Sequence, residues 1–366
     1  MQLEWIEIDK PKFFTKRRII GLAVIAACLL LFGALTLLRS FLTNRQTDTR
    51  AAERFAPDGG YAQVSVYFSE GAAVDAAHYR EFIYRIETAL TVGAIEQDAE
   101  NPDARLFLTC YSSEGRVTLS RDAKTAEADA IGTEGDFFFM HPVDLVSGMY
   151  YRPDALMKDQ VLLSDTVAWQ LFGGTDIAGQ EIMVGGKPHY VSGVFRTGDG
   201  RMRKAAGSAE SLVFLSAESL NAYGTVNGGA HTMNCFEAVM PNPVRGFAAS
   251  TMRAELKAYE NRMAVIDQNV RFGNFALWKV LTDFGTRSMA GAAMRFPYWE
   301  NLARGTEDVL VIILICQALL LAVPVLLLTV FVVQAYRHKR WTAGGIVEKI
   351  SDRIYDIRSG QRRIHT

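Results

Sequence analysis

Two uncharged apolar runs, one near each end, restrict this chain more than any other feature. The first, Ile19 to Leu38 (IIGLAVIAACLLLFGALTLL), is 20 residues long. As a helix rising about 1.5 Å per residue it matches the ~30 Å hydrocarbon core of a bilayer. A secretory leader is the rival reading, but its apolar stretch is shorter, about 7 to 15 residues, and ends at a small-x-small cleavage site. Here LRSFLTNRQ follows instead, which favours an uncleaved anchor. The second run, Val309 to Tyr336, has 28 uncharged residues interrupted by Pro324. It exceeds the hydrocarbon core, so tilt, a kink at Pro324 or a helical extension beyond the lipid is expected.

Basic residues beside the runs set the expected orientation. Lys10, Lys12, Lys16, Arg17 and Arg18 precede the first, and Arg337, Lys339, Arg340 and Lys349 follow the second. Only Arg39, Arg45, Arg50, Arg295 and Arg304 flank the inner sides of the two runs. Both termini (1–18 and 337–366) are therefore expected in the cytoplasm, the spans at 19–38 and 309–336, and residues 39–308 outside. With an overall charge of −1, and with the basic residues at the cytoplasmic ends explained by topology and anionic lipid, nucleic-acid binding gets no support.

Within the external region, 43–60 reads as a polar linker. YAQVSVYFS follows, where Val64, Val66 and Phe68 alternate with Gln63, Ser65 and Tyr67, predicting a strand with one buried face. Asp75 can cap a helix bearing Tyr79, Phe82, Ile86 and Leu90 at helical spacing, with Glu81 and Arg85 paired on its solvent side. ARLFLTCYS (104–112), MNCFEAVM (233–240) and MAVIDQNVRF (263–272) read as further strands, with a helix opening at Pro243 and running through Tyr259. Strand, helix, strand, excursion, strand, helix, strand is the split βαβ unit used twice, a ferredoxin-like layer. It would occupy 61–114 and 232–272, with a β-rich subdomain of mostly short strands and turns inserted at 115–231. The expected fold class is thus an α+β membrane protein: two transmembrane helices flanking an extracytoplasmic domain with a ferredoxin-like porter subdomain and a β-rich insert.

The insert contains VLLSDTVAWQLFGGTDIAGQEIMVGGKPHYVSGVF. Ser164 is placed to cap a short helix ending at Gly173 and Gly174, and Gly185 and Gly186 to turn a hairpin. This run, with GTEGDFFFMHPVDLVSGMYYRPD before it and SLVFLSAESLNAYG after it, resembles the extracytoplasmic core domain of MacB-type (MacB/FtsX-type) ABC transporter permeases. Phe138, Gly148, Leu163, Ser164, Ala168, Leu171, Phe172, Gly173, Ile177, Gly179, Ile182, Tyr190, Val191, Gly193 and Val194 stand where that pattern puts them. The resemblance implies a porter-like half carrying a β-rich insert, a dimeric arrangement (homo- or heterodimer), and an ABC ATPase on a separate chain, alone or with a full-length permease subunit. It also implies one span before the core domain and three after it. The last two of those are missing here, and 337–366 offers no convincing ATPase-engaging segment. Ile346, Ile350 and Ile354 suit an amphipathic helix resting on lipid or on a partner, the other reading being a frayed tail.

A search for chemistry gives no catalytic, cofactor-binding or metal-binding residue to nominate, and the chain is read as a non-enzyme. GGKPH (185–189) lacks the spacing and hydroxyl residue of a phosphate-binding loop. His231 and Cys235 lack a third ligand, and Glu134 and Asp136 are read as turn-flanking carboxylates. Cys110 and Cys235 are read either as a disulfide or as two buried thiols. Phe296, Tyr298 and Trp299, in the juxtamembrane segment 273–308, are read as an interfacial aromatic belt. Gln317, inside the second span, faces either the other helix or water. The functional expectation is a MacB-like permease-related subunit of a cell-surface ABC-type transport assembly. The alternative is a membrane-anchored interaction or sensing module without transport.

Overall fold

The computed structural model describes residues 16–95, 105–198, 200–225, 233–285, 294–337 and Ser351. The chain divides into two units, Met1–Leu38 with Ile313–Thr366, and Arg39–Ile312.

The first unit holds most of helix α1 (Lys16–Asn44) and the later turns of α10 (Tyr298–Arg337). Both are long and apolar enough to cross a bilayer, and their most apolar windows are only 6% and 22% buried. Leu30, Leu37, Leu319 and Leu326 lie open, which a helix in the core of a soluble domain would not tolerate. Gln317 Nε2 donates to Thr36 Oγ1 at 2.9 Å, so this buried amide joins the two helices. Helix α10 continues through Pro324.

The second unit is built on one sheet. Its strands are β1 (Tyr61–Phe68), β2 (Leu108–Arg121), β3 (Lys124–Gly135), β4 (Leu145–Gly148), β5 (Gln160–Ser164), β6 (Glu181–Val184), β7 (Lys187–Phe195), β8 (Leu212–Ser216), β9 (Cys235–Pro241) and β10 (Met263–Asp267). The order is β10-β1-β9-β2-β3-β8-β5-β7-β4, with β6 pairing β2 and β7. At one end, β10, β1, β9 and β2 are antiparallel neighbours. Taken in chain order this is 4-1-3-2, the arrangement that two interlocked split βαβ units require.

The remaining helices are α2 (Ala51–Phe55), α3 (Ala76–Val92), α4 (Phe137–Met140), α5 (Asp165–Phe172), α6 (Arg201–Ala205), α7 (Ala217–Tyr223), α8 (Phe247–Glu255) and α9 (Asn274–Thr282). Asp75 caps α3 by accepting from the Ala77 and His78 amides, and Tyr79, Phe82, Ile86 and Leu90 are buried. They pack with α8 against Val64, Val66 and Phe68 of β1. Glu81 and Arg85 pair at 2.6 Å on the exposed side. Helix α8 starts at Phe247, four residues later than Pro243, because Gly246 adopts φ +85° and breaks the helical path behind the proline. Asn242 Oδ1 accepts from the Ala248 amide there.

Residue 115, where the sequence reading opens the insert, lies inside the 14-residue strand β2. Strands β2 and β3 form one long hairpin, turned at Asp122 with φ +52°, that carries the porter sheet into the insert. The other strands of the insert are shorter, four to nine residues each. Ser164 Oγ accepts from Val167 N and caps α5, and Gly173 closes it at φ +77°. Gly185 and Gly186, at φ +56° and +80°, turn the β6–β7 hairpin.

Candidate functional site: a buried ion layer beneath the porter sheet

Strand β1 has two buried faces, not one. Gln63, Ser65 and Tyr67, which alternation suggested would meet solvent, are fully buried. On the neighbouring strand, Glu237 lies opposite Ser65 and Cys235 opposite Tyr67, so both strands present polar groups to the same side. The cover comes from residues 46–55, from His141 after α4, and from the first turns of α10. Trp299 packs 4.5 Å from the His141 ring and 5.6 Å from Phe137.

A buried carboxylate or imidazole demands partners, and each one here has them. His141 Nδ1 lies 3.0 Å from Asp48 Oδ1, and its Nε2 bonds Glu237 Oε2. Burial opposes charge on this imidazole, but the Glu237 and Asp48 carboxylates outweigh it and push the pKa up to about 9. At neutral pH both ring nitrogens therefore donate. Ser65 Oγ donates to the other oxygen of Glu237, and Gln63 bridges the Asp48 carbonyl and the Ala51 amide at 2.7 and 2.8 Å.

A second cluster adjoins the first. Arg271, 3% exposed at its side chain, spreads its guanidinium over two carboxylates of α10. Nε donates to Glu307 at 2.7 Å, and Nη1 and Nη2 to Glu300 at 2.8 and 3.1 Å. Burial works against that charge, but Glu300 and Glu307 hold the Arg271 pKa above its ordinary value. Glu300 also accepts from Arg304 at 2.9 Å and from the Tyr67 hydroxyl at 3.1 Å. Gln268 joins the clusters, accepting from Arg271 at 2.6 Å and donating to Ser65 at 2.8 Å. The result is one path, Glu307–Arg271–Gln268–Ser65–Glu237–His141–Asp48. Alongside it, Gln46 Nε2 donates to Thr306 Oγ1 at 2.8 Å, bonding the segment after α1 to α10.

This arrangement suits positioning better than bond-making. Ser65 gives its proton to Glu237, not to His141, and all three are sealed from solvent. A nucleophile for an external substrate would need the reverse of both.

A profile described as the MacB-like periplasmic core domain matches residues 19–270. The chain belongs to that family. Among solved structures, this MacB-like chain is similar to the periplasmic region of MacB from Actinobacillus actinomycetemcomitans, at 11% identity, 63% of this chain, 95% of that one and a TM-score of 0.39. It is also similar to the extracellular domain of the noncanonic ABC-type transporter YknZ from Gram-positive bacteria, at 14% identity, 56% and 99% coverage and a TM-score of 0.36. A domain of a putative permease protein from Porphyromonas gingivalis aligns at 20% identity, 56% and 88% coverage and a TM-score of 0.31. No curated protein matches the chain.

Other residues of this MacB-like domain singled out in the sequence are dispersed. Glu134 pairs with Lys158 at 2.9 Å and Asp136 with Arg105 at 2.6 Å, so the two carboxylates serve different cations. His231 and the tail residues Ile346, Ile350 and Ile354 lie outside the described residues. Cys110 and Cys235 are free and buried, and burial pushes both thiols well above their ordinary pKa. Each faces a different residue across the β2–β9 ladder, Cys110 opposite Glu237 and Cys235 opposite Ser112. The interfacial belt is corrected: Tyr298 and Trp299 are 8% and 3% exposed and belong to the core with Phe137 and Phe214. The missed signal was the spacing of Glu300, Arg304 and Glu307, which puts three charges on one helical stripe.

Proposed function

We propose that this chain is a permease-related subunit of a bacterial ABC-type transport assembly, in which movement of the membrane helices is relayed to the extracytoplasmic domain. Both termini are cytoplasmic in this reading, residues 39–308 are outside, and nucleotide is hydrolysed by a separate ATPase that assembles with this subunit or with a full-length permease. The chain itself is not an enzyme and holds no cofactor. Family membership supports the transporter context, and the excess of basic residues at 1–18 and 337–351 supports the orientation.

The observation that carries the relay is the double anchorage of Arg271 on Glu300 and Glu307. Those carboxylates belong to α10, the helix whose later turns form the second apolar run. Displacement of α10 along its axis must either drag the Arg271 segment with it or expose an unpaired buried charge, and the second costs more.

The test is gentle solubilisation with capture of bound chains, followed by cysteine cross-linking across the external domain. An ATPase should copurify, and ATP should change the cross-linking pattern in wild type but not in Arg271→Met. Failure to recover any ATPase would favour the anchored interaction or sensing module. Truncation after Tyr336 separates the same two readings, since it should abolish function only in the first.

A further inference from the structure

Helix α9 carries a surface that the relay does not use. Phe275 and Trp278, one turn apart, are 84% and 59% exposed, while Leu277 is completely buried on the opposite side. Phe284, just beyond the helix, is also open. Single exposed apolar side chains are ordinary, but three large aromatics on so short a segment are not.

Its tethers say what covers this surface. Arg39 is the first residue after the uncharged run that ends at Leu38. Its guanidinium donates to the Phe272 carbonyl at 2.6 Å and to Asn274 Oδ1. Glu307 stands two residues before the second run begins at Val309, and it accepts from Arg271 at 2.7 Å. The residues where both apolar runs meet the folded unit are thus bonded to positions 271–274, which lead into α9. Two independent bonds tie the start of this helix to residues that border the two apolar runs. At nine residues α9 is far too short to span a bilayer, whereas lying in the interface is open to it. Trp is the side chain most at home at that depth, and the exposed Lys279 beside it is suited to phosphate.

We propose that α9 lies in the headgroup layer on the side of the folded unit, with Phe275 and Trp278 inserted at the acyl boundary. This rests on α1 and α10 spanning a membrane.

The experiment uses the full chain reconstituted in phosphatidylcholine–phosphatidylglycerol vesicles, part of whose lipid carries bromine on the acyl chain near the headgroup. Subtracting the emission of Trp278→Phe from that of wild type isolates Trp278, and Trp169→Phe isolates Trp169, an exposed residue of α5. Trp278 should lose about half its emission or more to the brominated lipid and little to aqueous acrylamide, and Trp169 the reverse. Quenching of Trp278 by acrylamide alone would overturn the proposal, leaving the helix in water. Quenching by neither agent would also overturn it, the surface then being covered by a second copy or another chain. Trp278→Tyr supplies a second subtraction should the phenylalanine variant unfold. Vesicle flotation separates the two levels of failure: a chain that does not float refutes the spanning helices, whereas one that floats with Trp278 unquenched refutes only the placement of α9.

Discussion

The two faces of β1 are covered by different physics. On one, Val64, Val66 and Phe68 meet α3 and α8 through apolar contact alone. On the other, Gln63, Ser65 and Tyr67 meet residues 46–51, Gln268, Glu237 and α10 through directed hydrogen bonds and charge. Apolar packing is non-directional and tolerates a change of partner atoms, so the first face supplies stability. A buried ion pair adds little net stability over an apolar replacement, yet it accepts one geometry and penalises all others. The second face thus fixes where α10 and the segment after α1 stand against the sheet.

The largest expected effect breaks the polar face. Arg271→Met leaves Glu300 and Glu307 buried without their shared cation and should cost about 3 to 5 kcal/mol in chemical denaturation. Replacing all three by apolar residues of similar volume should recover most of that loss, as no equivalent second change could for a cavity. On the apolar face, Ile86→Ala should cost about 3 kcal/mol, within the range for emptying an aliphatic core position. That loss should not vary with pH.

The polar face should respond to pH. Because the His141 pKa is raised from 6.5 to about 9 in the folded chain, its contribution is complete below pH 6.5 and disappears as pH rises through 9. It should amount to about 3 kcal/mol or less. Urea midpoints of wild type should fall across that interval, and those of His141→Gln should lose that part of the slope. The smallest effect sharpens the contrast at adjacent positions. Ser65→Ala takes one donor from Glu237 and should cost about 1 to 2 kcal/mol, although it removes only a hydroxyl.

The porter half was legible because its periods are clean. Val64, Val66 and Phe68 repeat by two, and Tyr79, Phe82, Ile86 and Leu90 by three and four. Strand β3 was hidden because Ala126, Ala128 and Ala130 line its buried side and alanine is a weak strand former, although the alternation with Thr125, Glu127 and Asp129 was present. The ion layer was illegible for a different reason. Alternation reports polarity, and polar residues opposite an apolar face ordinarily meet water. Only the α10 charge stripe, paired with polar positions distant in sequence, makes them a second core. Tyr298 and Trp299 misled by proximity: they stand near the start of the apolar run, but the helix begins inside the folded unit, which buries both and turns Trp299 onto His141 and Phe137.

The most direct test is a double-mutant cycle between Arg271 and Glu300, using Arg271→Met, Glu300→Gln and the pair, with unfolding free energy as the readout. A layer that locks α10 to the sheet predicts a coupling of about 2 kcal/mol or more. Effects that add to within about 0.5 kcal/mol would mean the two side chains act independently, and the lock would not exist.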